Sequence, residues 1–232
     1  MLLIGNNRMP GVKKDTYMTR HERIEEWALK QIGNGYDLKT LFFRNTMGHF
    51  ISGDHIYLRG KEIEDRTLAE TGDEEAAWYA AEPYYDAARL KNNKDAWFRY
   101  AEYAYSNEWI EFVYAYQLGK AAKLGHKQAI HDYVYKYDEF KAKTITKDAY
   151  KEKKRQEKLY FRCCKALAAE GDLYALWELG TCFSLGCGVK KDLSKAIQLK
   201  EEVLERGEFT EEERSRRQEI IDFDKMCYEK NR

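Results

Sequence analysis

The chain has 232 residues, 44% hydrophobic and 34% charged, with only two prolines, Pro10 and Pro83, a size that buries a sizeable core and a profile that favours long helices over a turn-rich sandwich. Forty basic residues balance forty acidic ones, which excludes a global field recruiting nucleic acid or an anionic membrane and leaves such partners to a local patch. No stretch reaches the run of about 18 apolar residues of a membrane span, MLLIGNNRMPGVKK lacks the pattern of a secretory signal, and the five cysteines are an odd number, so the expectation is a cytoplasmic protein with reduced thiols and no membrane partner.

In chain order, Thr19 and Glu22 stand at capping-box spacing, and Ile24, Trp27, Ala28 and Ile32 define the face of a first helix. Gly33-Asn34-Gly35 stops it before Asp37 starts a second helix carrying Leu38, Leu41 and Phe42. This pair faintly resembles a DNA-binding helix-turn-helix, but residues 8–44 hold eight basic against five acidic residues, so the basic excess is slight. GHFISGDHIYLRG, with its Gly-Asp turn signal, predicts a short hairpin or an irregular linker. Residues 1–72 are read as an N-terminal helical cap. Lys61 to Glu75 carries seven acidic and two basic residues.

Small or apolar pairs before turns follow at Ala87-Ala88, Ala121-Ala122, Ala168-Ala169 and Val203-Leu204, in steps of 34, 47 and 35 residues. First-helix markers accompany them: Ala96 with Tyr100 and Ala104, Ala129 with Tyr133 and Tyr137, Ala175 with Leu179 and Phe183. The long middle step places an insertion near 138–157. Around it, Lys141 to Lys165 holds ten basic residues and three acidic. That run is either a solvated extension of two helices or a docking ridge, with Lys151, Lys153, Lys154 and Arg155 as its candidate contacts.

LGTCFSLGCGVKKDLSKA, residues 179–196, admits three readings. Zinc needs about four ligands, and C-x4-C supplies two. A phosphate loop needs G-x-G-x-x-G after a strand, and what precedes Gly186 has helical spacing. The third reading is a turn between helices: Gly186 takes a left-handed cap, Asp192 caps the next helix, and Gly180 lets the partner helix approach. FTEEERSRRQEIIDFDKMCYEK then opens with Thr210 and Glu213 at capping-box spacing.

The run Ala175, Leu179, Gly180, Phe183, Gly186, Gly188, Asp192 and Ala196, ending near Gly207, resembles the Sel-one-like repeat, a relative of the tetratricopeptide repeat. The resemblance is specific over 160–207 and degenerate over 74–159, and two of the three steps match the family period. It implies an all-α fold: an α/α solenoid of helix hairpins over 73–207, closed by a C-terminal capping helix at 208–232. It also implies a non-enzymatic interaction module, an adaptor, inhibitor or immunity-type regulator, without cofactor or metal. Secreted cysteine-rich members of the family pair a cysteine where this chain has Leu176, so their export pattern does not carry over.

The chain has 18 tyrosines, a residue suited both to packing and to binding surfaces. Tyr100, Tyr103, Tyr133 and Tyr137 are the candidates for a concave partner-binding face. Of the five histidines only His126 and His131 approach paired spacing, and they read as a turn residue and a helix face. No catalytic constellation is legible. The leading expectation is a protein partner; the alternative is a nucleic-acid-binding regulator using the N-terminal helix pair and the 141–165 ridge.

Overall fold

A left-handed residue, a capping side chain and an alanine three positions later recur along the chain and punctuate its helices. The triplets are Gly72-Asp73-Ala76, Asn92-Asn93-Ala96, Gly125-His126-Ala129 and Gly171-Asp172-Ala175. The first residue of each has φ between +57° and +98°, and the second accepts a hydrogen bond from the alanine N–H at 2.7 to 3.1 Å. Each such pair ends one helix and starts the next, because it satisfies backbone groups that both ends would otherwise leave open.

The computed structural model describes residues 20–35, 51–107, 111–141 and 147–230. The helices are α1 (Arg20–Gly33), α2 (Gly53–Thr71), α3 (Glu74–Leu90), α4 (Lys94–Ser106), α5 (Glu111–Lys123), α6 (Lys127–Tyr135), α7 (Tyr137–Phe140), α8 (Lys147–Ala169), α9 (Leu173–Leu185), α10 (Leu193–Arg206) and α11 (Glu211–Lys230). No strand occurs among the described residues, and no described helix is long and apolar enough to cross a membrane. The chain divides into two compact units, Met1–Lys91 and Asn92–Arg232.

In the first unit α3 packs on both α1 and α2. The segment from Gly53, read above as a hairpin or linker, is helical: Ser52 caps it by accepting from the His55 N–H at 3.1 Å, and Ile56, Gly60 and Glu64 form a buried stripe at i, i+4, i+8. A Cβ on Gly60 would lie 2.9 Å from the Tyr85 ring, so glycine sets the approach of α2 to α3. The buried Glu64 carboxylate accepts from the Tyr85 hydroxyl, which offsets the cost of placing a carboxylate there. On α1 the buried face is Ala28, Leu29 and Ile32, whereas Trp27 is 42% exposed, a correction to the expected face. The second N-terminal helix and the Thr19 cap lie outside the described residues.

In the second unit consecutive helices pack on one another from α4 to α7 and from α8 to α11, and α6 packs on α8. The His126 N–H bonds the Ala121 carbonyl at 3.0 Å and the Asp172 N–H bonds the Leu167 carbonyl at 3.1 Å, so the two turns superpose in kind. By that equivalence Leu167-Ala168, not Ala168-Ala169, matches Ala121-Ala122, and Ala169 is exposed. From 92 to 125 and from 125 to 171 the left-handed residues step by 33 and 46. The extra length goes into α7 and the first half of α8.

The α9–α10 turn follows local chemistry. Gly186 (φ +75°) caps α9 and Asp192 caps α10 by accepting from the Lys195 N–H at 3.0 Å. Gly188 (φ +70°) rests on α8, where a Cβ would overlap the Glu157 carbonyl oxygen and come within 2.9 Å of the Lys158 Cα. A Cβ on Gly180 would meet the Ala196 carbonyl at 3.3 Å, so α9 and α10 touch almost backbone to backbone. Thr210 and Glu213 form a reciprocal cap at the start of α11.

Candidate partner-binding groove

α5 turns two faces to its surroundings. Tyr114, Ala115, Leu118, Ala121 and Ala122 are buried, while Tyr116, Lys120 and Lys123 lie along another side at i, i+4, i+7. α8 does the same: Gln156, Tyr160, Cys163 and Cys164 are buried, and Arg155, Lys158 and Arg162 recur at i, i+3, i+7. Where these two cationic edges face each other they line a groove of about 490 Å³.

Its floor is aromatic and apolar, formed by Tyr133, Leu159 and Gly119. A Cβ on Gly119 would lie 3.2 Å from the Tyr133 ring and 3.3 Å from Leu159 Cδ2, so glycine allows those side chains to reach the floor. Five cations, Lys120, Lys123, Arg155, Lys158 and Arg162, meet one carboxylate, Glu152. Glu152 pairs with Arg155 at 3.6 Å, leaving that guanidinium side chain 79% exposed. Lys120 sits over the Trp97 and Tyr116 rings at 5.6 and 5.2 Å. Among the described residues Lys120, Lys123, Lys158 and Arg162 have no acidic partner. Like charges gathered in a concave surface reinforce one another's field, and the groove therefore attracts anions.

The structure redistributes the residues singled out by sequence. Tyr100, Tyr103, Tyr133 and Tyr137 are all buried, so they pack the interior and do not form an open aromatic face. Tyr133 alone reaches the groove, from beneath. Burial pushes the Tyr133 and Tyr137 phenols upward, and Tyr137 stacks on Tyr160 at 4.0 Å, whose hydroxyl donates to Glu178 at 2.8 Å. Burial raises Glu178 above the usual carboxylate range, and the hydrogen bond from Tyr160 works against that rise.

Of the ridge residues, Arg155 lines the groove and Lys151, Lys153 and Lys154 do not. Lys153 and Lys154 turn instead to the buried Glu157 carboxylate, at 4.0 and 2.8 Å; the hydrogen bond to Glu157 raises Lys154. Sequence reasoning missed Lys120 and Lys123, and it counted Lys158 and Arg162 without singling them out. The i, i+3, i+7 spacing of 155, 158 and 162 was a signal for that half.

The positions that carry the resemblance have local roles: Ala175 and Ala196 are fully buried, Leu179, Gly180 and Phe183 are buried, and Gly186, Gly188 and Asp192 shape the turn. Cys164, Cys182 and Cys187 lie side by side: the contact with Cys164 raises the Cys182 thiol while the contact with Cys187 lowers it, and the contact with Cys182 raises Cys187. Burial pushes Cys163 up to about 12. Among the described residues no group of three or more His, Cys, Asp or Glu is arranged to hold a metal ion. No family model matches the chain, and no curated protein matches it.

Proposed function

We propose that this chain is a non-enzymatic interaction module, an adaptor or inhibitor, built of helix hairpins of the Sel-one-like, tetratricopeptide-like kind. On this reading 1–72 is an N-terminal cap, 73–207 a solenoid with an insertion near 138–157, and α11 the closing helix of 208–232. The groove between α5 and α8 holds an acidic segment of a protein partner. The observation that carries this reading is the set of five cations facing one carboxylate across the groove, four of them without an acidic partner among the described residues. Carboxylates entering the groove are steered by that field and gain charge-assisted hydrogen bonds.

A nucleic acid fits less well. Single strands use bare aromatic faces on which bases stack, and here Lys120 lies over the rings of both Tyr116 and Trp97. Tyr133 is buried as the floor.

Fluorescence anisotropy tests the reading, with a labelled peptide rich in glutamate and a labelled single-stranded oligonucleotide of equal charge. The expected result is peptide binding that weakens about tenfold or more in Lys123→Glu/Arg162→Glu with an unchanged unfolding curve. Tighter binding of the oligonucleotide, with a steep salt dependence, transfers the groove to nucleic acid. Binding of neither probe removes the groove from the function.

A further inference from the structure

The groove has a complement on this same chain. The turn from α2 to α3 presents Glu70, Glu74 and Glu75, all exposed, and none has an ion-pair partner among the described residues. At the start of α11, by contrast, Glu212 pairs with Arg216 and Glu213 with the Thr210 cap, which leaves Glu211 alone without an ion-pair partner among the described residues. Elsewhere on α2, Asp65 pairs with Lys61 at 2.9 Å and Glu62 with Arg59 at 3.2 Å. In a chain of zero net charge, the α2–α3 turn thus holds unpaired carboxylates and the α5–α8 groove holds unpaired cations.

The turn is also rigid. Gly72 takes the left-handed conformation, with its N–H on the Leu68 carbonyl at 2.8 Å, and Asp73 spends its carboxylate on the Glu75 and Ala76 N–H groups at 2.9 and 3.1 Å. The Asp73 N–H in turn donates to the Thr71 hydroxyl at 3.1 Å. Carboxylates held on such a frame lose little conformational freedom on docking. Leu68 and Tyr79 flank them as exposed apolar groups.

We propose that the α5–α8 groove of one molecule takes the α2–α3 turn of a second copy. This rests on the reading of the groove as a site for acidic protein segments and adds its regulation: self-association and partner binding compete for the same cations. The contact joins two different surfaces, so it is head-to-tail and extends until a ring closes. A turn seated in a small groove buries little area, which places the interaction among weak, transient contacts. Its attraction is between exposed charges and is therefore screened by salt.

Sedimentation velocity over a concentration series tests it, with two variants of the full chain. One reverses the turn (Glu70→Lys/Glu74→Lys/Glu75→Lys) and the other reverses the groove (Lys123→Glu/Arg162→Glu). Wild type is expected to grow in mean sedimentation coefficient with concentration at low salt and to stay monomeric at high salt. Each variant alone is expected to stay monomeric, and an equimolar mixture of the two to associate, because each supplies the surface that the other lacks. A wild type monomeric throughout, association that persists in either variant alone, or a mixture that remains monomeric overturns the proposal. The turn-reversed variant keeps its groove: if it binds the glutamate-rich peptide while wild type shows no self-association, only the second-copy proposal falls. If peptide binding is absent too, both readings fall.

Discussion

Lys200 and Asp224 form an ion pair with Nζ 2.7 Å from Oδ2, and their side chains are only 3% and 8% exposed. Ser184 completes the arrangement, its hydroxyl donating to Asp224 at 2.7 Å and accepting from Lys200 at 3.1 Å. These three residues tie α9, α10 and α11 together at one point, beside the small apolar cluster of Leu176, Trp177, Val203, Leu204 and Ile221. Removing one partner leaves an unpaired charge in the interior. Asp224→Ala is expected to cost about 3–5 kcal/mol in urea unfolding. The double change Lys200→Met/Asp224→Leu removes both charges and is expected to recover most of that loss. A single substitution costing under about 1 kcal/mol would show that water reaches the pair.

Two left-handed glycines separate backbone strain from packing. Gly125 (φ +85°) has open space where a Cβ would go, whereas at Gly188 (φ +70°) a Cβ would overlap the backbone of α8. Gly125→Ala is expected to cost about 1 kcal/mol, the strain of the left-handed conformation. Gly188→Ala adds the displacement of the turn from α8 and is expected to cost about 1–3 kcal/mol more. Equal losses in chemical denaturation would mean that the turn lifts off α8 freely.

The buried phenols and thiols set the response to alkali. Burial pushes Cys163 up to about 12 from its ordinary value near 9, so the folded protein keeps the proton over a range where the unfolded chain releases it. That contribution is complete below about pH 9 and lost as pH rises toward about 12, at about 1.4 kcal/mol per pH unit for this group. Tyr133 and Tyr137, also raised by burial, add to the slope above about pH 10. Urea midpoints are expected to stay level to about pH 9 and then fall, and Cys163→Ala is expected to shallow the early part of the fall. An unchanged slope in that variant would assign the effect elsewhere.

Surface and interior tyrosines predict opposite phenotypes. Tyr100→Ala, at a buried position, is expected to cost about 3–5 kcal/mol, comparable to removing a buried phenylalanine. Tyr116→Ala removes an exposed ring under Lys120 and is expected to leave the unfolding curve within about 1 kcal/mol while weakening capture of the glutamate-rich peptide. Thermal unfolding run beside anisotropy reads both; a stable Tyr100→Ala protein with lost binding would restore that tyrosine to the surface.

Much of the local architecture was legible in the sequence because its causes lie within a few residues. A glycine or asparagine that adopts positive φ, followed by Asp, Asn or His as a cap and by Ala three places on, acts through its own backbone. The same holds for Gly186 with Asp192 and for Thr210 with Glu213. Had the left-handed residues been aligned in place of the alanine pairs, the steps of 33 and 46 would have emerged directly.

The misread segment shows where local reasoning stops. Gly53 to Gly60 carries a turn signal, but the helix there is held by a stripe that includes Glu64, a residue whose burial makes sense only once the Tyr85 hydroxyl is beside it.

The sequence by itself determined the helical class, the ends of most helices and the small residues at which helices touch, since these follow from periodicity, capping and side-chain volume. Only the tertiary structure decided which tyrosines are core and which cations act together. Lys123 and Arg162 lie far apart in the chain and reach one groove through the packing of α5 against α8. Lys153 and Lys154, in the middle of the most basic stretch, are drawn aside by one buried carboxylate, Glu157. Charge counted along a chain gives its amount; burial and pairing decide how much of it faces a partner.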